Sequence, residues 1–398
     1  MIGSLYSGIS GLKAQTSTMA VIGDNIANVN TTGFKTSRVL FANVFNATLG
    51  QSRMQIGRGV SMNGISSNWN AGTLENSNTV TDLAINGQGM FIVRNESNNG
   101  QYYTRAGQFE FNGDNTLVTQ DGLLVQGYAI NPVTGALGAL GNISLPNGIS
   151  TPRPTEEISI GLNLDAGAAI GDTFDTTMSV YDSLGNSIEL NFNFIRSATG
   201  WNWYVAPSIG SATPAGPAAA PPAYYELVFD ATGTLLPGSS TPAMAAGDAG
   251  PPITVTGLTG NDLTIDWNML DALGNSNGSI TGYSGTSVKT SQTQDGYPSG
   301  MLQGISVDEN GTFTALYSNG TMAPFAQIAL ADFASYAGLA KQGSNLFMSS
   351  LASGQPVVTV PNSAGVGAIA PSSLEMSNVD LAQEFVALIT TQRAFQAN

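Results

Sequence analysis

Cysteine and histidine are absent from all 398 residues. Disulfides, thiolate nucleophiles, Cys/His zinc sites and histidine-based triads are therefore excluded. Charge is scarce as well: charged residues make up 10 % of the chain, against about a quarter in an ordinary globular domain. Only 12 residues are Lys or Arg, and the net charge is −15. Phosphate neutralisation needs clustered cations, so nucleic acid is not expected as a partner. The same shortage argues against an anionic membrane surface. No apolar run approaches the ~18 residues that span a bilayer, so no membrane insertion is expected. Residues 1–14 lack the basic start and continuous apolar core of a secretion signal. If the protein leaves the cell, its route does not cleave such a signal.

What is present points to an extended β-rich protein. Hydrophobic content is an ordinary 42 %, and 48 glycines with many Asn, Ser and Thr residues take the place of the missing charge. The length allows two or three domains with real cores. Both ends, by contrast, are written as helices. Ile2, Leu5, Ile9, Leu12, Met19 and Ile26 follow three- and four-residue steps, or multiples of them, and so do Leu381, Phe385, Leu388 and Phe395. Such spacing lays an apolar stripe along one side of a helix and predicts a coiled-coil-like stem. Neither stripe has a partner in the adjacent sequence. The expectation is that the ends pack against each other or against copies of the same chain, which makes self-association the primary partnership.

Between the helices, period-2 alternation dominates. Ile188, Leu190, Phe192 and Phe194 alternate with Glu189, Asn191 and Asn193, and Trp201, Trp203 and Val205 make a similar strand. Short apolar runs such as Phe91-Ile92-Val93 are separated by Gly/Asn/Asp turns. The fold class expected is mainly β: hairpin-rich, sandwich- or barrel-like domains, one inserted in another, with α-helical termini. The organisation predicted is a stem of 1–30 with 377–398, an extended arm of 31–82 with 359–376, an inner β domain of 83–151 with 293–358, and an outer β domain of 152–292. The arm, with Val39, Leu40, Phe41, Val44 and Phe45 amid Gly and Asn, reads as short strands or a hairpin with few fixed contacts. Pro-rich stretches at 206–223 and 237–252 read as exposed loops.

No catalytic, cofactor or metal site emerges. Asn112–Asn115, Asp230–Gly233 and Asp308–Gly311 resemble metal loops superficially, but none carries alternating acids and a closing Glu. They read as turns, because Asn, Asp and Gly tolerate positive φ. Gly87-Gln88-Gly89 and Gly57-Arg58-Gly59 read as bends, since neither opens a helix of a βαβ unit. Glu156-Glu157 would point to opposite faces of a strand. Trp201–Tyr204 and Tyr224–Tyr225 form either a sugar platform or core, and alternation favours core.

The run Asp24-Asn25-Ile26-Ala27-Asn28-Val29-Asn30-Thr31-Thr32-Gly33-Phe34-Lys35 resembles the signature of the flagellar rod and hook protein family. Within it, Asn25, Asn28, Asn30, Thr32, Gly33, Phe34 and Lys35 are the positions singled out. Asp82–Phe91, Tyr103–Phe109, Asp121–Tyr128, Leu374–Leu381 and Gln392–Asn398 resemble further blocks of that family. Ser377 with Asp380 reads as an approximate capping box for the last helix. The large insert, opening with Tyr181–Asn186, is similar to the hook branch. The resemblance implies a hollow helical tube outside the cell, joining rod to filament, with rod, hook-cap and hook–filament junction proteins as partners and no cofactor. In that family the last helix usually runs several turns past the position of Asn398. Either the sequence stops short or this subunit has a shorter inner helix. The competing readings are a distal rod subunit and a secreted glycan-binding or adhesive module.

Overall fold

The computed structural model describes residues 2–44, 59–132, 134–146, 148–214, 224–240, 251–271 and 273–397. Phe45, Gly57, Arg58 and Asn398, with 215–223 and 241–250 of the two Pro-rich stretches, lie outside the described residues; within the first stretch Ser211–Thr213 is a strand paired with Thr254–Thr256, which corrects the expectation of an exposed loop there. The fold is mainly β, with one long helix at each end. Helix α1 spans Ile2–Ala27 and α2 spans Leu381–Ala397. Two compact units divide the chain: Met1–Pro146 with Gln303–Leu316 and Met322–Asn398, which holds both helices, and Asn147–Leu302 with Tyr317–Thr321.

In the first unit, a hairpin follows α1. Its strands β1 (Ser37–Asn43) and β2 (Val60–Ser67) pair antiparallel, with a bulge at Leu40/Phe41. A short strand, β3 (Leu74–Asn76), then pairs with Ser373–Glu375, and Leu83–Asn86 pairs with Ala368–Pro371. The main sheet of this unit runs in the order Thr312–Tyr317, Met322–Ile328, Leu124–Ile130, Met90–Arg94, Gln101–Thr104, Leu346–Met348, Ala340–Gly343. Its central strand Met90–Arg94 is buried on both faces. Phe91 and Val93 enter one core with Leu83, Phe109, Val125, Phe313 and Ile328. Met90 and Ile92 enter another with Tyr103, Phe333 and Phe347. That double burial explains why the strand reads as an uninterrupted apolar run.

The second unit packs two sheets around one core. Thr173–Tyr181, Ser187–Arg196, Trp201–Pro207 and Tyr225–Leu227 form one sheet. Pro252–Thr256, Leu263–Trp267, Glu157–Asn163 and Val288–Gln294 form most of the other. Ile188, Leu190, Phe192 and Phe194 all point inward, as period 2 requires. Trp203 and Trp267 meet edge-to-face at 4.8 Å, and Phe192 packs on Trp267 at 5.3 Å. Trp201 and Trp203 are fully buried, so they offer no sugar platform; the strand's inward face claims both.

The loops weighed as metal sites spend their oxygens on themselves. The Asn112 Oδ1 accepts the amides of Asp114 and Thr116, and the Asp230 Oδ1 those of Thr232 and Thr234. The Asp308 Oδ1 accepts the Thr312 amide at 2.7 Å. In the second unit, Asp182 closes its hairpin in the same way, accepting from the amides of Leu184 and Asn186 and from the Asn186 side chain. Burial alone would push the Asp182 carboxyl up, but these donors together hold it below the usual carboxylate range. The fold therefore favours the ionised form, so its stabilisation is complete above the unfolded carboxylate pKa and is lost as pH falls through the lowered one. Tryptophan fluorescence of the second unit is expected to show a melting temperature that drops below about pH 4. The Asp182→Asn variant, which keeps the acceptor without titrating, should show a shallower drop.

Candidate functional site: the junction of stem and body

The family-like segment after α1 is where the chain's ends and middle meet. As α1 runs out, the Asn28 side chain folds back to the carbonyl and carboxylate of Asp24, and Thr31 donates to the Asn28 Oδ1. Gly33 then takes φ +70°, and its amide donates to the Glu375 carbonyl at 2.7 Å. A Cβ at Gly33 would sit 2.7 Å from the Ala106 nitrogen and the Arg105 carbonyl carbon. Only glycine suits both the dihedral and the space. Phe34 is buried next, and Lys35 is delivered to the interior.

There the Lys35 Nζ lies 2.5 Å from Glu375 Oε1, and the Arg105 Nε 2.9 Å from Glu375 Oε2. The Glu375 side chain has no exposure at all. Its Oε1 also accepts the Gly72 amide at 2.9 Å. Two cations share one carboxylate, and backbone carbonyls share the remaining positive charge. Lys35 donates to the Asn70 carbonyl, and Arg105 to those of Gly87 and Gly89. Burial is the largest influence on Lys35 and holds its pKa below the usual lysine value; Glu375 opposes that shift and Arg105 adds to it.

Around this centre, side-chain amides tie backbones. Asn25, buried on α1, donates to the Ser37 carbonyl and accepts the Ser37 amide, extending the edge of β1. Its amide also reaches Glu384 on α2 at 3.1 Å. Asn378 accepts from the Thr36 amide and donates to the carbonyls of Asn68 and Asn70. Asn345 donates to the Thr32 carbonyl. Trp69 packs against Tyr336 and Phe347 with ring centroids 5.4 and 5.0 Å apart. The described part of the arm is thus densely fixed, which corrects the expectation of few contacts. Its Asn and Gly residues serve as backbone partners and close-approach points. Asn30 stands exposed.

The helices differ in detail from the sequence reading. Asp380 alone caps α2, its Oδ1 accepting from Ala382 and Gln383, whereas the Ser377 hydroxyl serves the Val379 amide outside the helix. No Ser377–Asp380 box forms, because the helix starts four residues after Ser377. Among the described side chains of α1, the buried ones are Ala14, Ile22 and Asn25. Ser10 accepts the Val60 amide, so the hairpin lies on this side of the helix. Leu12, Met19 and Ile26 are half-buried, and Ile9 is 48 % exposed. Ile2 and Leu5 lie within the helix, and their side chains fall outside the described residues. On α2, Leu388 is half-buried, while Leu381, Phe385 and Phe395 are exposed. The two helices pack against each other, yet much of the apolar surface stays bare. In the sequence, Arg105 and Glu375 stand out only as members of the family-like blocks Tyr103–Phe109 and Leu374–Leu381. Their signal was there: scarce cations within glycine-rich, apolar text, and a lone acid between Leu374 and Met376.

The arrangement is a structural joint. Four family models match the chain. The flagella basal body rod protein model covers residues 5–35, and the flagellar hook protein FlgE/F/G D1 domain covers 84–163. The flagellar basal body protein FlaE D2 domain covers 163–297, and the flagellar basal body rod FlgEFG protein C-terminal model covers 370–398. The chain is 31 % identical to the flagellar hook protein FlgE of Borreliella burgdorferi, covering 100 % of this chain and 96 % of that one. Identity to the FlgE of Escherichia coli (strain K12) is 30 %, covering 98 % and 94 %. The crystal structure of Helicobacter pylori flagellar hook protein FlgE2 shares the fold, with a TM-score of 0.53 at 16 % identity over 76 % of this chain and 100 % of that one.

Substituting Gly33 with Ala tests the geometry of the joint. The positive φ and the backbone clash together should cost at least about 2 kcal/mol. Circular dichroism should show a lowered thermal midpoint for the first unit, while the tryptophan signal of the second holds.

Proposed function

The chain belongs to the flagellar hook protein family and is a structural subunit of the hook; from that premise we propose how its copies assemble. Stems pack side by side as the wall of a hollow, curved tube, and the β bodies project outward. The tube joins rod to filament and carries torque while it bends. The subunit leaves the cell without a cleaved signal and performs no catalysis. Contacts with rod, cap and junction proteins occur at the two ends of the tube. Residues 1–30 with 377–398 act as stem, 31–82 with 359–376 as arm, 83–151 with 293–358 as inner domain and 152–292 as outer domain.

One observation carries this reading: the subunit leaves large apolar side chains bare on its stem and hairpin. On α1, the exposed residues Tyr6, Ile9, Lys13, Thr16, Ala20, Gly23 and Ala27 follow alternating three- and four-residue steps. They form a seam free of the hairpin, and its small residues admit a second helix closely. On α2, Phe385 is 49 % exposed, and Val386 and Ile389 are exposed beside it. On the hairpin, the cross-strand pairs Val39–Ile65 and Phe41–Met62 share one face, and Phe41, Met62 and Ile65 are exposed. Patches this apolar mark association surfaces. Different patches meeting in a contact that does not close on itself generate a filament. The uncharged polar surface elsewhere favours bending, because neighbours can slide without breaking strong ion pairs.

Replacing Leu5, Ile9 and Leu12 together with Asp is expected to abolish tube formation, scored by electron microscopy of concentrated protein. The tryptophan melting curve should stay unchanged. Tubes of normal length from that variant would contradict the proposal.

A further inference from the structure

The chain passes between the two units at Pro146/Asn147, Leu302/Gln303, Leu316/Tyr317 and Thr321/Met322. On the second unit's side these crossings lead into three pieces of chain that meet one another. Residues 148–153 and 297–302 run antiparallel as a ribbon, with bridges at Ile149/Met301 and Arg153/Tyr297. The turn Tyr317–Thr321 belongs to the same unit and lies against this ribbon.

The ribbon's own ladder has a gap. The Leu302 and Ser150 amides donate to the carbonyls of Gly148 and Gly300, and Arg153 and Tyr297 exchange a pair of bonds. Between these rungs Pro152 and Pro298 have no amide hydrogen to give. The Gly300 amide donates to the Ser150 hydroxyl in place of a carbonyl. Asn319 spans this stretch. Its Nδ2 donates to the Pro298 carbonyl at 2.8 Å on one strand and to the Ser150 Oγ at 3.3 Å on the other. Its Oδ1 accepts from the amide and the hydroxyl of Thr321, which fixes the carboxamide from behind. Ser318 adds a two-way link, its amide donating to the Met301 carbonyl and its hydroxyl accepting the Met301 amide. A Cβ at Gly300 would lie 2.7 Å from the Asn319 Cγ, so a side chain there would displace the carboxamide.

We propose that Asn319 is a strap, tying the ribbon into a three-piece neck that limits how freely the second unit swings on its connections to the first. With the strap closed, all the crossings are braced together. With it open, the second unit hangs on a two-stranded ribbon with an interrupted ladder, and isolated two-stranded ribbons are marginal in water. The cores stand apart from this device: Ser150, Pro298, Ser318 and Asn319 belong to none of the hydrophobic clusters. Any bearing of the strap on bending and torque rests on the tube proposed above; its action within one subunit does not.

Two variants of the full chain test the strap. Asn319→Asp keeps the acceptor that Thr321 uses and loses the Nδ2 donor. Hydrogen–deuterium exchange read by mass spectrometry should show amides of 148–153 and 297–302 exchanging roughly 10- to 30-fold faster, as expected when one or two hydrogen bonds are lost. Asn319→Ala should open the same stretches and also loosen 317–321. In both, residues 90–94, 187–205 and 263–267 should exchange as in the parent chain. Nitrogen-15 relaxation should give the second unit a shorter rotational correlation time, relative to the first unit's, than in the parent. Unchanged exchange in the ribbon would overturn the proposal. So would loss of protection throughout 187–205 and 263–267, or faster exchange with no change in correlation time. These measurements read single subunits, so failure of the strap and failure of tube assembly are separate results.

Discussion

One carboxylate held between two cations sets the geometry on which the rest of this subunit depends. Glu375 is fully enclosed, and Lys35 and Arg105 reach it from the segment after α1 and from the inner β unit. A chain with 12 Lys and Arg residues commits two of them to one dry site. Such a site adds little net stability relative to an apolar one, but losing one partner costs about 3–5 kcal/mol. Its value lies in specificity: only one register of the N-terminal segment against the C-terminal strand satisfies all three charges. The Gly33 amide on the Glu375 carbonyl fixes that register from the backbone side.

From the junction outward, the fold separates what must be fixed from what must be free. Side-chain amides of Asn25 and Asn378 hold the hairpin and both helices near the joint. Further along, α1 and α2 keep apolar surface exposed that no part of the chain covers among the described residues. A monomer designed for solitary life would bury that surface. The β units need no such neighbours. Their turns satisfy their own acids, as at Asp182 and Asp230, and their cores are closed by aromatics such as Trp203 and Trp267.

The parts of this architecture with short-range signatures were legible in the sequence. Ile188 to Phe194 alternated because one face of their strand is core, and the helices showed their period. The turns at Asn112, Asp230 and Asp308 were readable because Asn, Asp and Gly suit turn backbones. The junction left no periodic trace, since Lys35 and Glu375 lie 340 positions apart and a single Glu among apolar residues has no pattern. The arm was misread for a related reason. Asn and Gly suggest slack chain, yet here Asn378 bonds three backbone groups and Gly33 brings its amide within 2.7 Å of the Glu375 carbonyl. On α1 the large residues marked a stripe, whereas the small or polar Ala14 and Asn25, with Ile22, are buried, because a hairpin backbone sits against that side.

The central claim is that a rigid joint presents a deliberately unburied stem to neighbouring copies. A cryo-electron microscopy reconstruction of tubes assembled from this chain would test it most directly. The account predicts Glu375 still clasped by Lys35 and Arg105 in every subunit, with Ile9, Phe385 and Phe41 covered by adjacent copies. Tubes in which that clasp is broken, or in which those side chains remain in solvent, would contradict it.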